Sequence, residues 1–152
     1  MEKRLYAVLR TACFLLMLAM VTIIFSQVVA RYAFSNSLSW SEEAGRYIFV
    51  WMTFLGAAMA VRDRQHVSLD LVLKSLPDSL QKLLLMISYL SMLVFTAVLI
   101  YGGIKFVARG SNQISSALEI PMHYVYIVLP LGGILIFAYL LKNLYEDVLA
   151  GR

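Results

Sequence analysis

Three stretches without a charged residue constrain this chain more than anything else in it: Thr11 to Ala30, Leu83 to Ile104 and Ile120 to Leu141. Each is about 20 residues or slightly more, which as α-helix covers one hydrocarbon thickness. In lipid the backbone has no water to bond to, so a run of this kind has to be helical. A fourth span is less plain. Trp40 to Val61 contains no Pro and reaches roughly 33 Å as a helix, yet only Tyr47 to Val61 is free of charge. The turn bearing Glu42, Glu43 and Arg46 therefore has to sit at the membrane boundary or against protein. With 61% hydrophobic residues, 14% charged residues and a mean hydropathy of +0.79, the chain lies outside the range of soluble domains. The expectation is an all-α integral membrane protein, residues 1–152 forming one domain with helices over 11–34, 40–61, 78–108 and 120–145.

The second helix carries the unusual chemistry. Ser39 followed three residues later by Glu42 reads as a capping box, which predicts a helix start at Trp40. Glu42 stands at i,i+4 and Glu43 at i,i+3 from Arg46, so the three charges are placed to neutralise one another. A paired cluster costs less at that depth than a lone ion. Such a cluster serves as an interfacial anchor, as a docking point for a partner together with Trp40 and Tyr47, or as part of an ion pathway; docking is the reading preferred. Further along, Gly56 and Ala60 form a small-xxx-small pair that lets another helix come close. The spacing does not decide whether that helix belongs to this chain or to another.

Orientation follows from the basic residues. Lys3, Arg4, Arg10, Arg62, Arg64, Lys74, Lys82, Lys142 and Arg152 fall on one side; Arg31, Arg46, Lys105 and Arg109 fall on the other. The excess places both termini in the cytoplasm. Arg31, Arg62, Arg64 and Lys74 read as anchors to lipid at the interface. Between the second and third spans, Leu69, Val72, Leu73 and Leu76 recur at i, i+3, i+4 and i+7, predicting a short amphipathic helix over 68–76 lying in the interface. Pro130, with Gly132 and Gly133 after it permitting close approach, predicts a kink of the fourth helix in mid-membrane.

Much chemistry is absent. Cys13 is the only cysteine, and His66 and His123 belong to opposite sides of the bilayer, so no shared metal or haem is expected. No phosphate-binding loop or nucleophile motif occurs, and no catalytic residue or cofactor is expected. The net charge of +4 is explained by topology and makes no case for nucleic acid. A carrier acting alone needs a charge or broken helices near midplane, and none is found. That favours an accessory subunit; a self-sufficient homo-oligomeric exporter and a membrane electron carrier are the alternatives.

The run W-S-E-E-A-G-R-Y-I-F-V-W-M-T-F-L-G-A-A from Trp40, followed by H-V-S-L-D at 66–70, resembles the second-helix signature of the small membrane subunit of TRAP transporters, the tripartite ATP-independent periplasmic carriers. R-Y at 31–32 and S-A-L-E-I-P-M-H-Y-V-Y at 116–126 extend the resemblance over nearly the whole chain. It implies a partner in a large multi-spanning membrane subunit that holds substrate and sodium, and a periplasmic binding protein that delivers the substrate. It also implies uptake of organic acids, with no substrate site in this subunit.

Overall fold

The computed structural model describes residues 2–35, 38–63 and 77–149. The expected interfacial helix over 68–76, with Arg64, His66 and Lys74, lies outside the described residues. Four long helical segments are present: α1 (Glu2–Ala33), α2 (Ser39–Arg62), α3 (Asp78–Gly110), and a last span made of α4 (His123–Tyr126), α5 (Val128–Leu144) and a π-helical turn (Tyr145–Leu149). All four are long and apolar enough to cross a membrane.

Where the boundaries depart from expectation the reasons are local. α1 begins at Glu2 instead of residue 11 because Glu, Lys, Arg, Leu and Ala are good helix formers and carry the helix past the apolar core. The capping box does not form: α2 starts at Ser39 behind Leu38, without a side-chain cap. Glu42 turns instead towards Gln27 of α1 (Nε2 to Oε1, 3.3 Å), and the Ser41 hydroxyl donates to the Leu38 carbonyl. The last span starts at His123 instead of residue 120, since Pro121 is occupied in a β-bridge with Ile114. Instead of the mid-membrane kink expected at Pro130, the helix is broken at Ile127, towards one end of the span, where Pro130 has no N–H to offer the Tyr126 carbonyl.

The helices form an open row. α1 packs on α2, α2 on α5 and α5 on α3, and among the described residues α1 makes no comparable contact with α3. Burial follows this order. None of the apolar window of α1 is buried within the chain, against 39% of that of the last span. Leu55 and Ala58 of α2 and Val128 and Leu140 of α5 make the seam of the core. Two consecutive glycines let α5 serve both neighbours. A Cβ on Gly132 would stand 2.9 Å from Phe54 Cβ of α2, and one on Gly133 would stand 2.7 Å from Ile100 Cγ1 of α3. Gly56, in contrast, faces open space within this chain, so its expected close approach is not made by α3 or α5.

At one end of the row Asn143, buried, donates through Nδ2 to the Val61 carbonyl in the last turn of α2 (2.8 Å). That carbonyl also accepts a backbone N–H at the helix end, so Asn143 is its second donor. Asn143→Leu is expected to destabilise the folded chain by about 0.6–1.7 kcal/mol, the range for interhelical hydrogen bonds in membranes. Unfolding in mixed micelles checks it.

Candidate functional site

The segment joining α3 to α4 is tied to itself before it is tied to anything else. The Ser115 N–H donates to the Ile120 carbonyl (2.9 Å) and the Met122 N–H to the Gln113 carbonyl (2.9 Å), so residues 113–115 and 120–122 run as two paired arms. Between them the chain must reverse, and Glu119 takes a positive φ of 53° to do so. Gly110 admits the arms to the bundle: a Cβ there would lie 2.7 Å from Tyr126 Cδ2 and 2.9 Å from the His123 nitrogen. The turn leaves the N–H groups of Ser116, Ala117 and Leu118 converging on one point, a nest suited to an anion.

The anion is Glu43. Its carboxylate accepts from the N–H groups of Ser116 (3.2 Å), Ala117 (2.9 Å) and Leu118 (2.9 Å), and from the hydroxyl of Tyr47 one turn along α2 (2.6 Å). The Tyr47 oxygen also lies 3.2 Å from Met122 Sδ. Four donors on one carboxylate form a latch between α2 and the 113–122 segment. Among the described residues the charge is matched by backbone dipoles and a phenol, without a cation.

The three charges expected to neutralise one another therefore part company. Glu43 turns towards the 113–122 segment, while Glu42 and Arg46 stay exposed on the α1 side. Among the described residues Arg46 forms no ion pair, and it helps to line a groove of about 400 Å³ with Ile24, Gln27, Ser41, Glu42 and Gly45. Trp40 is exposed beside them, at 42%. Gly56 and Ala60 lie well down α2, away from this cluster. Arg31 is exposed in the last turn of α1. Arg62 engages its own chain, pairing with Asp63 (2.9 Å) and lying 3.8 Å from the Tyr6 ring centre, while the Tyr6 hydroxyl donates to Asp63 (2.8 Å). The described residues hold no cluster of His, Cys, Asp and Glu suited to a metal.

The latch joins two of the stretches that carry the family resemblance, Trp40 to Ala58 and Ser116 to Tyr126. The family model of the DctQ component of tripartite ATP-independent periplasmic transporters matches residues 20–150, which include both. The chain belongs to this family. The DctQ family is one of transporter components, not of enzymes, and the chain is a small TRAP permease subunit that passes through the membrane several times. A TRAP transporter small permease protein of Haemophilus influenzae is 31% identical over 140 residues, 92% of this chain and 87% of that protein. The isethionate TRAP transporter permease protein DctMQ of Oleidesulfovibrio alaskensis is 28% identical over 140 residues, 87% of this chain but only 22% of that protein. The C4-dicarboxylate TRAP transporter small permease protein DctQ of Vibrio cholerae is 30% identical over 84 residues, 55% of this chain and 36% of that protein.

The sequence reading missed the backbone half of the latch. Its one signal was that the segment from Ser111 to Ile120 contains no Lys or Arg, so it has no cation to offer an acidic helix end and only neutral donors remain.

Proposed function

We propose that this DctQ-type chain is the accessory membrane subunit of a sodium-coupled TRAP transporter that takes up organic acids, bracing a large carrier subunit and holding no substrate site itself. One observation carries the reading: in the DctMQ permease the stretch similar to this chain makes up 22% of a longer protein, so there the two parts are built as one. The open row supports it, because four helices side by side leave apolar surface on α1 and α3 for other helices to cover. So does the absence of a charged midplane site among the described residues. The complex sits in the cytoplasmic membrane of a bacterium or archaeon, the termini of this chain face the cytoplasm, and a periplasmic binding protein hands substrate to the complex. Docking to the large subunit uses Trp40, Glu42 and Arg46, with Gly56 and Ala60 offering close approach along α2 and the Glu43–Tyr47 latch holding that end in shape.

The test is reconstitution. Proteoliposomes with the large subunit, the binding protein and this chain should take up solute under a sodium gradient. Those lacking this chain should fall to background, and this chain alone should transport nothing. Saturable uptake by this chain alone would overturn the reading.

A further inference from the structure

The N-terminal part of α1, away from the latch, carries a polar and an apolar depression side by side. Tyr6 and Phe14 stand two turns apart on one stripe, with Arg10 midway and Ala7 and Thr11 between the rings. Together these five line a depression of about 430 Å³. Arg10 is exposed and has no acceptor among the described residues, and the Thr11 hydroxyl is exposed beside it. The nearby carboxylate, Asp63, is already engaged by Tyr6 and Arg62. A second depression of about 410 Å³ adjoins the first, sharing Ala7 and Thr11 and continuing to Val8, Ala12 and Leu15, and this one is almost wholly apolar. Phe14, Leu15 and Leu18 continue the exposed apolar surface along the helix.

We propose that this is a binding site for one anionic phospholipid, its phosphate on Arg10 and Thr11 and an acyl chain in the adjoining apolar depression. The ordering of chemistry favours lipid over protein as occupant. Moving inward along α1, a cation and a hydroxyl give way to aromatic and aliphatic surface, which is the polarity gradient of a phospholipid itself. The Tyr6 ring, held by Asp63 and lying under Arg62, gives the phosphate end a fixed wall.

The experiment is native mass spectrometry of the full chain purified in mild detergent and titrated with phosphatidylglycerol, phosphatidylcholine or inorganic phosphate. One phosphatidylglycerol should be retained in preference to phosphatidylcholine, and phosphate should not compete. Arg10→Gln should weaken retention about fivefold, the worth of one cation near an anionic headgroup. Thr11→Val should weaken it less. Arg4→Gln removes the same charge from the same helix outside the depression and should change little. Because these side chains are exposed, the variants should insert and fold like the parent chain. Equal losses in Arg4→Gln and Arg10→Gln, equal retention of both lipids, or displacement by phosphate would overturn the site. So would retention that disappears when the large subunit is copurified, since protein would then cover α1.

Discussion

Gly102→Ala and Gly103→Ala are expected to shift stability in opposite directions although the two residues are adjacent in α3. A Cβ at Gly103 would lie 2.9 Å from both Cδ and the backbone nitrogen of Pro130 and 3.0 Å from Leu129 Cβ. A proline ring closed onto its own backbone cannot swing aside as a long side chain can, so the helices must separate. Overpacking of this kind typically costs about 1–3 kcal/mol. At Gly102 nothing stands within 4 Å, and there alanine gains helix propensity worth up to about 1 kcal/mol. Gly103→Val should be worse than Gly103→Ala. Denaturation in micelles, followed by circular dichroism, measures both signs. A Gly103→Ala chain as stable as the parent would mean that α3 and α5 do not meet at Pro130.

Glu43→Gln should release the 113–122 segment from α2 while leaving the four spans inserted. A glutamine side chain has one oxygen where the carboxylate has two, and its amide group presents N–H to donors. The N–H groups of Ser116, Ala117 and Leu118 and the Tyr47 hydroxyl cannot all be satisfied by it. Amide exchange at these three positions is expected to speed up roughly tenfold, in line with the loss of hydrogen bonds to a charged acceptor. Glu42→Gln, one residue away, should leave exchange there unchanged because Glu42 bonds to Gln27 on the other side of α2. On the docking reading the two variants separate again: Glu42→Gln weakens copurification with the large subunit directly, Glu43→Gln through a loosened segment. Unchanged exchange in Glu43→Gln would dissolve the latch.

Fold class was legible because lipid makes the rule simple: a charge-free run of about 20 residues is a span. The same rule blurred the ends. Counting charges finds the part of a helix that lies in hydrocarbon, not the part that continues into the interface, so residues 2–10 of α1 were left out. The capping box was legible and wrong, since Gln27, 15 residues upstream, competes for the Glu42 side chain and sequence spacing cannot see it. Helix periodicity likewise put Glu43 within reach of Arg46. It could not show that a turn more than 70 residues on would supply better donors. Gly132 and Gly133 were legible as packing residues, whereas their division between two neighbours depends on the order α2, α5, α3, which no local pattern encodes.

The latch also sets an order of events during synthesis. Glu43 and its donors are 73 to 75 positions apart, so α2 enters the bilayer long before the residues that will hold its carboxylate exist. For that interval α1 and α2 form a hairpin with an acidic group that has only Tyr47 to bond. When the second hairpin arrives, closing the latch registers α2 against the α3–α4 connection. Full-length protein should therefore gain protease resistance at the α3–α4 connection in a single late phase, after Ser116 to Leu118 have been made.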